Sequence, residues 1–252
     1  MKTNHRVYGP IARLVAWGVH VYTAMGLVLA ASIAVLIVRG TAHSLALALG
    51  LMWIATLIDA TDGALARRAR VKEVLPGFDG RRLDDLSDFL TYTFLPLLLV
   101  WRAGLLPETW SLWLLFPLVA SAYGFCQSDA KTDDGFFLGF PSYWNIIALY
   151  LYMLQPPGWL SLTIILLFAT LTFVPSRYLY STQPGRLNHI TNYLGGAWAI
   201  FIGWLIYELY RGSFSGDPER FRTLAICSLL FPGYYLSTSW VITVKRLLSP
   251  RP

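Results

Sequence analysis

The chain has 252 residues, 56% of them hydrophobic and 15% aromatic, and a mean hydropathy of +0.52, which excludes an ordinary soluble domain of this size. The composition predicts an all-α, polytopic integral membrane protein. Its formal charge of +6 matters less than where the cations fall, because lysine and arginine gather in cytoplasmic loops.

Residues 1–15 carry Lys2, Arg6 and Arg13 among Val7, Tyr8, Ile11 and Leu14, an amphipathic pattern suited to a membrane surface. A first span is expected over 16–38, interrupted only by His20. It is of full membrane length and lacks a cleavage site behind a short apolar core, so it is retained rather than removed as a signal peptide. The second span covers 44–59 and continues as helix through Arg67. A third follows over 85–101 and a fourth over 109–127. After a polar stretch come a short fifth span over 143–154, a sixth over 160–174, a seventh over 189–210 and an eighth over 221–244. About eight transmembrane helices result, with no repeat or linker, so residues 1–252 read as one membrane domain. Cys126 and Cys227 lack the spacing of a metal site or disulfide framework and read as small buried packing residues.

With the N-terminus inside, this arrangement places fifteen lysines and arginines on the inner side and five, Arg39, Arg102, Arg211, Arg220 and Arg222, on the outer. That bias predicts cytoplasmic N- and C-termini.

Four carboxylates then stand out at the inner ends of two apolar helices. Asp59 and Asp62 are three residues apart, and Asp84 and Asp88 four apart, so each pair shares a helix face. Two such pairs facing each other form an oxygen-rich cradle for a hard divalent cation, Mg²⁺ or Mn²⁺, rather than zinc or copper. Ionisable groups at a membrane boundary are expensive and mark function by default. Gly63 and Ala66 are small enough for a bulky ligand to approach the backbone, and Arg67 offers a planar bidentate donor to a phosphate. Carboxylates, small residues and an arginine together suit diphosphate chemistry. Asp85 lies about 100° round the helix from Asp84 and reads as a charge near the helix N-terminus.

The segment resembles the signature of the CDP-alcohol phosphotransferase family, D-x-x-D-G-x-x-A-R, a spacer, then G-x-x-x-D-x-x-x-D. Asp59, Asp62, Gly63, Ala66, Arg67, Gly80, Asp84 and Asp88 match every fixed position. The spacer from Arg68 to Asp79 is longer than in most of the family and is similar to that of the branch that joins CDP-diacylglycerol to free choline. His20 to Thr23, Gly139 to Asn145 and Arg177 to Tyr180 also resemble that branch.

The resemblance implies two divalent ions held by Asp59, Asp62, Asp84 and Asp88, chiefly the first three, and a CDP site formed by Asp59, Asp62, Gly63, Ala66, Arg67 and Gly80. Asp88, last on its face, is the candidate base for the acceptor hydroxyl. The trimethylammonium group of choline has no hydrogen to donate and is best held by aromatic faces. Tyr143, Trp144 and Tyr178 are the leading candidates, with Tyr123, Tyr180 and Tyr193 behind them, although aromatic belts line every membrane interface. Lys131 and Arg177 are candidates for a lipid phosphate, against plain snorkelling. The basic residues Arg68, Arg70, Lys72, Arg81 and Arg82 read first as a topological signal beside anionic lipid. His20 reads as a buried hydrogen-bonding residue, and Asn145 and Asn192 as helix-to-helix hydrogen bonders.

The expected partners are CDP-diacylglycerol, choline and membrane lipid, with a homodimer allowed and no nucleic acid. The expected location is a bacterial inner membrane, with the site on the cytoplasmic side. The competing readings are a different acceptor and a transporter. Serine, glycerol phosphate or inositol phosphate would keep the chemistry, the phosphorylated acceptors drawing on Lys131, Arg177 and Arg186. A transporter that used the acids as a relay would carry polar residues through the outer half as well, whereas polarity here gathers at the inner ends.

Overall fold

The computed structural model describes residues 8–127, 136–179 and 186–248. Helix α1 (Pro10–Arg39) opens on a proline whose fixed φ suits the first helical position. Residues 10–15 are therefore the first turns of the span itself. Gly40, at φ 66°, ends the helix in the left-handed region. One residue later Thr41 caps α2 (Ala42–Arg68): its hydroxyl accepts from the Ser44 N–H while the Ser44 hydroxyl accepts from the Thr41 N–H. The two helices form an antiparallel hairpin whose seam buries Ala30, Ile33 and Ile37 with Ala48, Leu49 and Met52.

Beyond α2 the chain turns through Arg70, at φ 49°, into the single-turn α3 (Val71–Val74). Val71 and Val74 bury themselves against Ala16 and Val19 of α1. The next rod starts at Gly80, five residues earlier than the sequence suggests, because Asp79 caps it by accepting from the Arg82 N–H. Asp85 thus lies beyond the first turn and does not serve as a charge at the N-terminus. The rod runs as α4 (Gly80–Asp88), a π-helical stretch (Phe89–Phe94) and α5 (Leu95–Arg102).

A 3₁₀ segment (Glu108–Leu114) leads into α6 (Leu115–Cys126). Helices α7 (Trp144–Leu154) and α8 (Gly158–Leu171) follow. The all-helical expectation has one local exception: β1 (Phe136–Leu138) and β2 (Arg177–Leu179) form an antiparallel pair, with Phe137 opposite Tyr178. At about 1.5 Å per residue α7 is roughly 16 Å long, short of an apolar core about 30 Å thick. Strand β1 and the 139–143 segment precede it. Helices α9 (Arg186–Arg211), α10 (Pro218–Ser228) and α11 (Leu230–Leu248) complete the described chain.

Among the described residues five helices are long and apolar enough to cross a membrane: Pro10–Arg39, Ala42–Arg68, Glu108–Cys126, Asn188–Arg211 and Pro218–Arg246. Trp144–Leu154 and Gly158–Leu171 are shorter apolar helices. Val38, Leu112, Ile200 and Leu230 point outward, each more than 70% exposed. Water would penalise that many bare side chains, whereas lipid accommodates them. Cys126 and Cys227 are also exposed, contrary to the expectation of buried packing, and both are free thiols.

Candidate active site

The site forms where α1, α2 and α4 converge. Two close approaches set their spacing. Gly26 of α1 lies against Ser87 of α4 so tightly that a Cβ there would overlap the serine hydroxyl. Gly80 faces His20, and a Cβ on it would come within 2.6 Å of His20 Cε1 and 3.0 Å of Nδ1. The imidazole is buried in a three-ring cluster with Phe78 and Trp17, their centroids 4.3 Å and 5.7 Å from it and 5.2 Å from each other. It is not the hydrogen-bonding residue expected: among the described residues Nε2 has no partner, and its role is packing. Gly80, read from the sequence as a nucleotide contact, here gives α4 its approach to α1.

This approach brings the acids together. Asp59 from α2 and Asp84 and Asp88 from α4 each present a carboxylate oxygen, and these oxygens lie within 4.8 Å of one another. Asp62 is buried one turn beyond Asp59, and its Oδ2 accepts from Thr23 Oγ1 at 2.8 Å. Asp59 Oδ2 accepts from the Tyr92 hydroxyl at 2.7 Å. All four acids line one small cleft with Thr23, Gly26, Ala55, Ile58 and Ser87. Oxygen-only donors at this separation fit a hard divalent cation.

The flanking candidates fall in different places. Gly63 and Ala66 follow on α2, and the exposed Arg67 reaches back so that its Nη1 lies 3.3 Å from where a Cβ on Gly63 would be. Tyr143 packs near Tyr92, centroids 6.3 Å apart, and near Tyr235 at 6.4 Å. Trp144 is 1% exposed, and its indole N–H donates to Ser121 Oγ at 2.7 Å. Tyr178 is completely buried in the cluster formed by Phe140, Ala148 and Ile165, and burial pushes its phenol above the ordinary value. Neither ring lines the acidic cleft. Tyr123 and Tyr193 are exposed.

The half-buried Arg177 places its guanidinium 5.9 Å from the Phe136 ring centroid, and Arg246 lies 4.8 Å from the same ring. Asn145 ties α7 to α2 as expected, donating to Thr56 Oγ1 at 2.9 Å. Lys131, Tyr180 and the Arg186 side chain lie outside the described residues.

Sequence reasoning missed Tyr92 and the pairing of Thr23 with Asp62. Thr23 sits in the quoted His20–Thr23 string, but nothing in that string names its acceptor, 39 residues away.

These features place the chain in a class, the apolar helical membrane proteins whose packed helices enclose an oxygen-lined acidic cleft. Residues 20–175 match the sequence profile of the CDP-alcohol phosphatidyltransferase family. The chain is 38% identical over 200 residues to the phosphatidylcholine synthase of Pseudomonas aeruginosa, covering 79% of this chain and 83% of that one. It is 39% identical over 223 residues to the protein of the same name from Bradyrhizobium diazoefficiens, covering 87% and 79%. Against that of Legionella pneumophila it is 42% identical over 179 residues, covering 70% and 68%. The chain belongs to the CDP-alcohol phosphatidyltransferase family, and is thereby a membrane-embedded transferase.

Proposed function

We propose that the chain is a phosphatidylcholine synthase, transferring the phosphatidyl group of CDP-diacylglycerol to choline to give phosphatidylcholine and CMP. The observation that carries this reading is the convergence of Asp59, Asp84 and Asp88 in a chain whose relatives bear that name. We place it in a bacterial inner membrane with the cleft facing the cytoplasm, as the fifteen-to-five distribution of cations supports.

Asp59, Asp62, Asp84 and Asp88 are the residues that would hold Mn²⁺ or Mg²⁺, and the oxygens of Asp59, Asp84 and Asp88 are the ones that converge. When bound, the ions neutralise diphosphate charge and make CMP a better leaving group. The cleft occupies about 190 Å³ including its open mouth, below the roughly 300–1,000 Å³ of pockets that enclose whole small molecules. It therefore suits the ions and phosphates, leaving the rest of the nucleotide along Gly63, Ala66 and the exposed Arg67. Arg67 then reaches a phosphate oxygen with its planar fork.

The choline oxygen forms a bond to the phosphorus that carries diacylglycerol, the bond from that phosphorus to the CMP oxygen breaks, and the choline proton passes to Asp88. Asp88 is the last acid on α4 and shares a face with Asp84, which keeps it within the acid cluster where the reacting phosphorus would lie. Tyr143 is the aromatic candidate that supports an ammonium site, since it packs on the Tyr92 ring whose hydroxyl touches Asp59.

The test is purified protein in detergent with CDP-diacylglycerol and labelled choline, ethanolamine, serine, glycerol phosphate or inositol phosphate. Choline is the expected acceptor, EDTA should silence turnover, and Mn²⁺ or Mg²⁺ should restore it. Preference for another acceptor would overturn the choline assignment, and activity indifferent to chelation would overturn the metal scheme.

A further inference from the structure

The rod that carries Asp84 and Asp88 does not continue as a plain α-helix. Pro96 has no N–H to offer the carbonyl of Tyr92, four residues back, and the stretch Phe89–Phe94 widens into π-helical turns, with the Leu95 N–H bonding the Leu90 carbonyl. Such turns concentrate at functional sites because they redirect side chains. The side chain redirected here is Tyr92. Its ring is buried, and its hydroxyl crosses to α2 to donate to Asp59 Oδ2 at 2.7 Å.

Asp59 lies in a crowded cluster, its ligand oxygen within 4.8 Å of those of Asp84 and Asp88. Like charges that close favour swinging one carboxylate away. A hydrogen bond from a neutral phenol to a carboxylate is short and strong. It fixes the rotation of the group while leaving its charge in place for a cation. Groups that orient a ligand in this way typically contribute about 10–100-fold in metal affinity or activity.

We infer that Tyr92 is a positioning residue: its hydroxyl holds the Asp59 carboxylate in the pose that binds the divalent cation, and the π-helical turn exists to deliver it there. The inference rests on the proposed metal role of the acid cluster and assigns a determinant that the signature motif does not contain. Tyr92→Phe removes the hydroxyl and keeps the buried ring.

The experiment titrates full-length protein in detergent with Mn²⁺ alone, following free Mn²⁺ by electron paramagnetic resonance, and measures half-activation by Mn²⁺ in parallel. Tyr92→Phe should weaken Mn²⁺ binding about tenfold or more and raise the half-activating concentration to match. At saturating Mn²⁺ its kcat should recover most of the wild-type value, with the choline KM unchanged. Tyr150→Phe is the structural control. Tyr150 also carries a buried hydroxyl, bonded to Ser228 Oγ at 2.9 Å and Trp198 Nε1 at 3.1 Å, and its loss should lower the melting temperature without moving the Mn²⁺ midpoint. A wild-type midpoint in Tyr92→Phe, or an equal shift in Tyr150→Phe, overturns the inference. Asp84→Asn separates the two levels. If it leaves Mn²⁺ binding intact, the metal site itself is refuted and Tyr92 with it, whereas if it abolishes binding and Tyr92→Phe does not weaken it, only the role of Tyr92 falls.

Discussion

Gly80→Ala distinguishes two reasons for the glycine that opens α4. The added Cβ would lie 2.6 Å from His20 Cε1, about 0.8 Å inside the 3.4 Å at which ordinary contact begins. His20 is buried and packs on Phe78 at 4.3 Å and Trp17 at 5.7 Å, so relief of the clash moves either this ring cluster or the start of α4. Overpacking of this kind costs about 1–3 kcal/mol. Asp84 lies one turn further on, and a displacement approaching 1 Å at reacting groups costs about 100-fold. We expect Gly80→Ala to lower the melting temperature in detergent and to cut kcat/KM by roughly 10–100-fold, read as CMP release from CDP-diacylglycerol and choline. The double variant His20→Ala/Gly80→Ala supplies the missing space and should recover at least tenfold over Gly80→Ala, a coupling of about 1.4 kcal/mol within the range for residues in contact. If the two substitutions are additive, the glycine does not serve the α1–α4 approach and the reasoning is refuted.

Asp88→Asn should bind CDP-diacylglycerol nearly as well as wild type yet lose most of kcat, because proton transfer is needed only as the new bond forms; a large loss of nucleotide affinity would make it a ligand instead. Tyr143→Ala should raise the choline KM roughly tenfold while leaving that for CDP-diacylglycerol unchanged, given about 0.5–2 kcal/mol for a cation–π contact; an unaltered KM would remove Tyr143 from the acceptor site. Trp144→Phe should instead leave the choline KM alone and cost about 1 kcal/mol of stability through the lost bond to Ser121; a rise in choline KM would return Trp144 to the site.

The acids were legible because helical spacing of three and four is a local property: Asp59 with Asp62, and Asp84 with Asp88, declare a shared face in a handful of residues. What holds them was not. Tyr92 lies in the apolar run from Phe89 to Trp101, which reads as plain membrane span, and its only signal is Pro96 four positions on. Trp144 reads as an interfacial aromatic until its indole is seen to meet Ser121, 23 residues earlier. The helical runs themselves were plain from hydropathy, whereas the strand pair joins segments about forty residues apart through backbone bonds that no side-chain pattern announces. Cys126 and Cys227 failed for another reason. Burial of small apolar residues is an inference from water, and a helix face turned to lipid faces no such pressure.

The tethers share a design that sequence spacing could not reveal. Between residues 56 and 62, α2 is met from three directions: Tyr22 and Thr23 of α1 bond Thr61 and Asp62, Tyr92 of the rod bonds Asp59, and Asn145 of α7 bonds Thr56. Each of these partners is a neutral hydroxyl or amide. A cation at the same places would orient the carboxylates equally well but would offset the negative charge that draws a divalent ion. Neutral donors separate the two tasks, fixing geometry while leaving charge for the ligand. The arrangement also explains why the acids belong in the C-terminal part of α2 rather than midway through it. There a helix in lipid can still be reached by polar side chains from several neighbours, while the carboxylates stay close enough to the aqueous boundary to admit an ion and a water-soluble alcohol.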